Sequence, residues 1–334
     1  MRTLVISDLH LGNRAERDVL RRPAPLERLT EAASQCDRLV ILGDCAELVT
    51  RSPGGSLAVA ETAMRAVGAR LGPHQEVILV PGNHDRPLIR GWARAQGTRL
   101  SLDGTVPLTT TAALARVSSW FAPAQVSVHY PGVWLEDGVY ATHGHYLDRH
   151  LMPHAPIGLP RPAGSAAAAA RASPWEYERR RFQARRRRDG RARPVAAARQ
   201  LAVRTLNPAL PRLLMRAGLS PLTASAVDLQ MRHAALPAMR TVLTRLGVEA
   251  NVVIFGHVHR LGPLSADDPG EWDLSGTPRL LNTGSWLYEQ LLVDRARTPH
   301  PYWPGGAVQL EPGSPPRIVG LLDDLDHGQL STRK

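Results

Sequence analysis

Short runs of apolar residues recur along the first part of the chain, and each of them stops at polar residues or glycine. The runs over 3–7, 38–42 and 76–80 have the length and the residue types of buried strands. Between them, 25–34 and 57–71 are predicted to be helices, the second with apolar residues about 3.6 positions apart. This alternation of strands and helices favours an α/β fold in which helices pack on a sheet.

A second group of strands is predicted further along the chain. Apolar and polar residues alternate over 126–130, and the apolar run 139–142 follows a turn at Asp137-Gly138. We expect these two segments to belong to a second sheet. Further strands are predicted at 251–255, at 279–281 and, as a closing pair between Pro- and Gly-rich turns, near 307–322.

The pattern changes after His145, where the strand signals stop for about a hundred residues. Residues 153–163 are rich in proline and 166–170 are all alanine, and an arginine-rich stretch and helical sequence follow. We interpret this part as a largely helical insertion with poorly ordered segments. The predicted organisation is a first part over 1–145, the insertion over 146–246, a second part of the same domain over 247–325 and a tail over 326–334.

One segment carries most of the positive charge. The chain has a net charge of +11, and residues 171–204 hold twelve arginines against three acidic residues, which accounts for +9 of it. Through Arg179–Arg193 we consider nucleic acid, an anionic membrane surface and the substrate itself as partners, next to a solvated face without one. A GC-rich genome would explain the preference for arginine over lysine but not the clustering.

The overall composition is that of a globular protein. The chain has 334 residues, of which 43% are hydrophobic, so it can form a sizeable core. Its two cysteines, Cys36 and Cys45, provide no disulfide framework, which favours a reducing compartment. We expect no signal peptide, and no apolar run approaches the roughly 18 residues of a membrane span. The expected location is cytoplasmic, with peripheral attachment to a membrane as an alternative.

Five predicted strand ends finish in residue types that bind metal ions. Neighbouring strands end on one edge of a sheet, where their loops can build a site together. In D-x-H and H-x-H pairs on extended backbone, alternate side chains point the same way, and adjacent glycines allow sharp turns. Each pair alone is common by chance, but all five in this order are specific. The motifs are Asp8-Leu9-His10, Gly43-Asp44, Gly82-Asn83-His84-Asp85, His143-Gly144-His145 and Gly256-His257-Val258-His259.

In this order the motifs resemble those of the calcineurin-like metallophosphoesterase superfamily, which carry D-x-H, G-D, G-N-H-D, a single histidine and G-H-x-H. The resemblance covers most of 1–145 and 250–290 and leaves the insertion outside. The segment Leu281–Trp286 also looks like the strand and turn that follow the last histidines in many bacterial members. The resemblance implies a four-layer α/β/β/α sandwich, which agrees with the pattern of strands and helices.

The resemblance also implies a centre of two divalent transition-metal ions. Carboxylate, imidazole and amide ligands suit Mn, Fe, Zn or Co. Two such ions, roughly 3.5–4 Å apart, can share a hydroxide that attacks phosphorus and can clamp the phosphate oxygens. The implied ligands are Asp8, His10 and His259 for one ion and Asn83, His143 and His257 for the other, with Asp44 bridging both.

Two residues of the third motif would act beside the metal ions. His84 is expected to protonate the leaving oxygen or to stabilise negative charge on the phosphoryl group. Asp85 is expected to orient His84 from behind. His145 is expected to lie behind the ligands or at the rim of the site rather than to bind metal. For Asp148, Arg149 and His150, contact with the substrate and a solvated helix start are both open alternatives.

The reaction class is predicted more narrowly than the substrate. Residues 43–49 lack the G-D-x-x-D-R-G pattern of the phosphoprotein phosphatases, so that branch is not expected. The insertion is similar in position to the helical cap of UDP-2,3-diacylglucosamine pyrophosphatases, but those usually have G-N-R-D where this chain has His84. We therefore expect hydrolysis of a small anionic phosphoester, a phosphodiester or a pyrophosphate, by attack of the metal-bridging hydroxide.

Two other functions compete with this one. The DNA-repair nucleases of the superfamily share G-N-H-D, and the arginine cluster could bind nucleic acid, so a metal-dependent nuclease is the second hypothesis. However, only Trp175, Tyr177 and Phe182 accompany the arginines, which is not a pattern for stacking on bases. A retired enzyme that serves as a binding scaffold is disfavoured, because all seven ligand positions hold suitable residues.

Overall fold

A computed structural model gives the fold over residues 1–49, 53–151, 170–179, 228 and 231–331. The strands are β1 (Thr3–Ile6), β2 (Arg38–Ile41), β3 (Glu76–Leu79), β4 (Asp103–Thr105), β5 (Gln125–Glu136), β6 (Val139–Thr142), β7 (Val252–Phe255), β8 (Leu261–Gly262), β9 (Arg279–Thr283), β10 (Gly306–Glu311) and β11 (Ser314–Gly320). The α-helices are α1 (Pro23–Ser34), α2 (Pro53–Gly68), α3 (Arg90–Gln96), α4 (Ala112–Ser119), α5 (Leu236–Leu246), α6 (Pro269–Trp272), α7 (Gln290–Val293) and α8 (His327–Leu330). Short 3₁₀ helices cover Val19–Arg21, Arg86–Leu88, Gly97–Arg99, Leu108–Thr110 and His145–His150, a π-helical turn covers Met231–Ala235, and 174–179 is also helical.

The strands form one continuous sheet with two halves. Their order is β11-β10-β1-β2-β3-β5-β6-β7-β9-β8, and β4 pairs with β5 at its side. The long strand β5 joins the halves, because Gln125–Val128 pairs in parallel with β3 whereas Gly132–Glu136 pairs antiparallel with β6. The expected separate second sheet beginning near Val126 is therefore wrong in this detail, since β5 belongs to both halves.

Strands β1, β2, β3, β6 and β7 are buried on both faces, which explains why they are continuous apolar runs. In β1, Leu4 and Ile6 pack in one cluster with α1, α2 and α4, whereas Val5 lies in a second cluster. The second cluster also contains Ile254 of β7 and Leu281 of β9, which come from the other half of the sheet. A third cluster packs alternate residues of β6, β7 and β9 against α5. The alternating side chains of each half thus contact helices on one face and the shared second cluster on the other.

The predicted ligands follow strands whose carboxyl ends meet. β1, β2 and β3 run parallel to one another, and so do β6 and β7. In such an arrangement the loops at the carboxyl ends lie along one edge of each half. Asp8, Asp44 and Asn83 come after β1, β2 and β3, and His143 and His257 come after β6 and β7.

Hydrogen bonds hold these loops together across the two halves. The backbone N–H of His257 donates to Asp8 Oδ2 at 2.8 Å, and that of Trp286 donates to the Asp8 carbonyl at 3.1 Å. Within the first half, the N–H of Asp8 donates to the carbonyl of Gly43 at 3.0 Å. The first, second and fifth motifs therefore share one loop cluster before any side chain of the site is considered.

Much of the predicted insertion lies outside the described residues. This holds for the proline-rich segment 153–163, for the alanines before residue 170 and for the arginines from 180 to 193. Of its described parts, 146–151, 170–179, 228 and 231–246, the segment 170–179 begins beside α5, where the N–H of Ala172 donates to the carbonyl of Arg245 at 2.8 Å. Among the helices of the described ranges, none is long and apolar enough to cross a membrane.

Candidate metal centre

The backbone is strained at five of the seven predicted ligands. A non-glycine residue in the left-handed region costs about 1–3 kcal/mol and persists only where the surroundings enforce it. Such residues cluster at functional sites, so their coincidence with the motifs indicates a built site. The residues are Asp8 (φ 54°), His10 (φ 45°), Asp44 (φ 53°), His257 (φ 70°) and His259 (φ 57°).

Two glycines of the motifs allow the loops to approach each other closely. A Cβ at Gly43, which has φ 91°, would lie 2.4 Å from Nδ1 of His143. A Cβ at Gly82 would lie 2.2 Å from Oδ1 of Asp44. Any larger residue at either position would push a predicted ligand out of place, which explains why glycine stands beside the ligands.

The first ligand group consists of Asp8, His10 and His259, whose ligand atoms lie within 4.8 Å of one another. Nε2 of His259 is 3.1 Å from Nε2 of His10 and 3.2 Å from Oδ1 of Asp8. That carboxylate oxygen is buried and has no hydrogen-bond partner within the described residues. Two facing imidazole nitrogens and an unsatisfied buried oxygen form a donor set that fits a divalent cation.

The second ligand group consists of Asp44, His143 and His257, again within 4.8 Å of one another. Nδ1 of His143 is 2.9 Å from the carbonyl of Leu42, which fixes it as the protonated nitrogen and leaves the Nε2 lone pair for a ligand. Nε2 of His143 lies 3.3 Å from Asp44 Oδ2 and 3.2 Å from Asn83 Oδ1. These three groups converge on one position, which either a proton on Nε2 of His143 or a bound cation can occupy.

Asp44 connects the two groups. Its Oδ2 lies 3.3 Å from Nε2 of His143 and 3.7 Å from Nε2 of His10, so one carboxylate reaches a ligand of each group. Its other oxygen, Oδ1, accepts the backbone N–H of His84 at 2.8 Å, which fixes the carboxylate in this orientation. The side chain is almost fully buried. One carboxylate therefore lies close to a histidine of each group.

Buried carboxylates draw positive charge onto the histidines of the centre. Burial lowers the pKa of His10, but hydrogen bonds to Asp8 and Glu47 and nearby carboxylate charges outweigh this and raise it to about 10. Burial also lowers the pKa of His143, and the charges of Asp44 and Asp8 raise it to about 9. Metal ions compete with such protons for the same lone pairs, so binding of cations would release them.

His84 is held by Glu47 and not, as predicted, by Asp85. Nδ1 of His84 lies 2.6 Å from Oε1 of Glu47, and Oε2 of the same carboxylate lies 3.5 Å from Nδ1 of His10. The Asp85 carboxylate instead accepts backbone N–H groups of Cys45 and Ala46, both at 3.0 Å. The prediction for Asp85 was wrong because the loop after Asp44 uses this carboxylate to satisfy its own donors.

The sequence did not identify Glu47 as a site residue, and it left the role of Asp148 undecided. Glu47 stands three residues after Asp44, and only the turn of the intervening loop brings it to His84. Asp148 Oδ1 lies 2.7 Å from Nε2 of His257, beside the second ligand group. An acidic residue three positions after a motif residue, Asp44 or His145, was the available signal in both cases.

His145 and Glu178 belong to a buried polar network next to the centre. The ring of His145 lies 5.5 Å from that of His143, and its Nε2 is 3.2 Å from the hydroxyl of Tyr130. That hydroxyl donates to Oε1 of Glu178 at 2.6 Å, and Arg86 pairs with Oε2 of Glu178 at 2.5 Å. Residues 170–179 are thus attached directly behind the third and fourth motifs.

Arg149 and His150 contact the same part of the insertion. The guanidinium of Arg149 lies 4.4 Å from the ring centroid of Tyr177 and donates to the carbonyl of Glu176 at 3.0 Å. Nε2 of His150 lies 3.0 Å from the hydroxyl of Tyr177. Both side chains are placed to hold residues 170–179 against the fourth motif.

Comparisons with known proteins agree with this geometry. The family model described as calcineurin-like phosphoesterase matches residues 1–183, which is more than half of the chain. None of the curated proteins matches it. Among solved structures, the nuclease MPE of Pseudomonas putida is similar at 21% sequence identity and a TM-score of 0.25, over 42% of this chain and 53% of that chain. This chain therefore spans about half the length of that nuclease.

The family match ends before the fifth motif, whereas the geometry places that motif beside the first four. His257 joins the group of Asp44 and His143, and His259 joins the group of Asp8 and His10. Each of these two clusters that could hold metal therefore combines residues inside the family match with one histidine beyond it. The chain belongs to the calcineurin-like phosphoesterase family.

Proposed function

We propose that this chain hydrolyses a phosphodiester or a pyrophosphate at a centre of two divalent transition-metal ions. The observation that carries this proposal is the position of Asp44, whose Oδ2 faces a histidine of each ligand group at 3.3 and 3.7 Å. Mn, Fe, Zn and Co all suit this donor set. The proposed ligands are Asp8, His10 and His259 for one ion and Asn83, His143 and His257 for the other, with Asp44 shared.

When bound, the two ions would activate a water molecule as the nucleophile and neutralise the charge of the phosphate oxygens. The protein's own side chains would orient the proton donor and protonate the leaving oxygen. Nε2 of His84 lies 3.9 Å from Oδ2 of Asp44, so it faces the shared position and can deliver a proton to the leaving oxygen. Glu47 holds the opposite side of the same ring. Asp85 fixes the loop that carries Asp44.

We also propose the four-layer arrangement and the division of the chain that accompany this function. The second apolar cluster supports the four layers, because it combines residues from both halves of the sheet while helices cover the outer faces. The proposed division keeps 1–145 and 247–325 as one domain and 146–246 as its insertion. The contacts of Glu178 behind the third and fourth motifs support an insertion that forms part of the wall of the site.

A metal-dependent nuclease is the second candidate, and the charge distribution favours it. Residues 171–204 carry +9 of the net charge of +11. Of the arginines in Arg179–Arg193, only the first is described, and it is exposed and follows directly after the buried Glu178. A polyanion drawn to this segment would therefore be held close to the centre. The same charge could attract an anionic membrane surface.

The first prediction concerns the metal ions. We expect about two transition-metal ions per chain after growth or dialysis with Mn, and loss of phosphodiesterase activity in excess chelator. Asp44→Asn should lower the occupancy of both sites, because it removes the shared negative ligand. Elemental analysis and turnover of bis-nitrophenyl phosphate measure these effects. The same assay with phosphomonoesters, nucleotide-diphospho conjugates and single-stranded DNA identifies the substrate class.

The matched control is Asp137→Asn, because Asp137 is exposed in the turn between β5 and β6. It should keep both metal content and turnover. A wild-type protein that binds no metal and turns over equally well in chelator would contradict the proposed function. Cleavage of DNA far above that of every small substrate would favour the nuclease instead.

The second prediction concerns the arginine cluster. Replacing Arg185, Arg186, Arg187 and Arg188 with glutamine should raise KM for an anionic substrate that they attract, in a salt-dependent way. Turnover of bis-nitrophenyl phosphate and metal content should stay the same as in wild type. If the cluster binds a polymer or a membrane, small-substrate kinetics should stay constant and only retention of DNA or anionic liposomes at low salt should fall. No change in any of these would identify a solvated face without a partner.

A further inference from the structure

One acidic residue touches a proposed ligand without belonging to either ligand group. Oδ1 of Asp148 lies 2.7 Å from Nε2 of His257, a distance typical of a charge-assisted hydrogen bond. Asp148 is not among the residues whose ligand atoms converge with those of Asp44 and His143, whereas His257 is. His257 therefore belongs to the ligand group and also contacts the Asp148 carboxylate.

This arrangement has a consequence for the protons of the ring. A neutral imidazole carries one proton, and the nitrogen that bears it is decided by the hydrogen bond it makes. A carboxylate can only accept, so Asp148 requires the proton of His257 to be on Nε2. The lone pair is then on Nδ1, and Nδ1 is the nitrogen that remains for a cation. Carboxylates in this position also raise the basicity of the imidazole that binds the metal.

The backbone around Asp148 is suited to hold the carboxylate in place. Asp148 lies in the 3₁₀ helix His145–His150, which starts directly after the proposed ligand His143 and the left-handed Gly144. Tyr146 and Leu147, just before it, are buried in the cluster that contains α5. Arg149 and His150, just after it, hold Tyr177 of the insertion. Although the Asp148 side chain is 47% exposed, its main chain is fixed from both sides.

We propose that Asp148 is a positioning residue that sets the tautomer and the orientation of His257, so that Nδ1 of His257 binds the second ion. The inference rests on the proposed function, because it needs a metal centre in which His257 is a ligand. It goes further by giving the start of the insertion a role in metal affinity. The second ion, which is bound next to Asn83 and His143, would then depend on the same turn that anchors residues 170–179.

The test is a metal titration in which the two ions are resolved. Purified full-length protein is stripped with chelator and titrated with Zn in competition with a fluorescent chelator of known affinity. Asp148→Ala should weaken one of the two binding steps by about 10- to 100-fold and leave the other unchanged. Asp148→Asn should weaken that binding step by a smaller factor, because its amide oxygen still accepts the Nε2 proton of His257. Asp137→Ala, an exposed aspartate of the β5–β6 turn, is the matched control.

The zinc-loaded protein with ¹⁵N-labelled histidine gives a second readout that a merely structural role would not move. The spectrum of wild type should show His257, assigned with His257→Asn, with its proton on Nε2, and Asp148→Ala should weaken or broaden that signal. Unchanged affinities for both ions, or equal losses for both with a lower unfolding midpoint in chelator, would overturn the inference. Complete loss of one ion at saturating zinc would make Asp148 a ligand and contradict a positioning role. If wild type binds no zinc at all, the proposed function fails instead.

Discussion

Replacing His84 with asparagine is expected to lower kcat by about 10²- to 10⁴-fold, the usual effect of losing a general acid, while both metal ions remain bound. The physical reason is the direction of the ring. Glu47 holds Nδ1 at 2.6 Å, and Nε2 faces Asp44 at 3.9 Å. The drop should be smaller for substrates with good leaving groups such as nitrophenolate, which need little protonation. Steady-state kinetics over a series of leaving groups, with elemental analysis of each variant, measure both effects.

Glu47→Gln should give a smaller loss of the same kind, because it removes the charge that orients His84 but not the acid itself. His74→Asn is the matched control, since His74 is exposed in the turn before β3 and lies outside every motif. His84 also lies within 4.8 Å of ligand atoms of His10 and Asp44. Loss of a metal ion in His84→Asn would therefore make it a ligand, and equal drops for good and poor leaving groups would show that it only binds charge.

The elements of the fold that are packed on both sides could be predicted from the sequence. The runs 3–7, 38–42 and 76–80 are strands β1, β2 and β3, because two apolar clusters cover their alternate residues. The helix predicted at 25–34 is α1, and that at 57–71 lies largely within α2. These predictions are confirmed because burial of a whole element leaves a periodic signal in its residues.

Elements with a weaker periodic signal were not predicted. α3, α4 and the short β4 lie in a stretch for which no apolar pattern was identified, and β4 has no buried residue. The role of β5 was also missed, because a single alternating strand does not reveal that its two ends pair with different partners. Strand pairing depends on the neighbouring strands, so the residues of β5 alone do not show which strands it pairs with.

The candidate site could be predicted as a set of residues but not as a set of contacts. Asp85 follows His84 directly, yet backbone N–H groups of the loop after Asp44 bind its carboxylate. Glu47 and Asp148 reach histidines 37 and 109 residues away, so neither contact can be read from spacing along the chain. Such contacts arise from how loops turn at the sheet edge, which depends on the strained backbone of the ligands themselves.

Removing the charge of Glu178 is expected to have a large effect on stability. The Glu178 side chain is fully buried, pairs with Arg86 at 2.5 Å and accepts the hydroxyl of Tyr130 at 2.6 Å. Breaking a buried pair by removing one partner typically costs 3–5 kcal/mol, because the other charge stays buried. The Arg86 side chain keeps 17% exposure, so we expect Glu178→Gln to lower the free energy of unfolding by about 3 kcal/mol, at the lower end of that range.

Urea denaturation in excess chelator measures this loss without a contribution from metal binding. Glu176→Gln is the matched control, since Glu176 is exposed on the same helical stretch two residues earlier. The double variant with Arg86→Gln should lose less free energy of unfolding than the sum of the losses in the two single variants, because each replacement already breaks the same pair. Arg86 follows His84 by two residues, so Glu178→Gln should also lower kcat in the metal-loaded protein. A loss below about 1 kcal/mol, with additive single losses, would show that residues 170–179 are held by apolar contacts alone and that the insertion does not support the third motif.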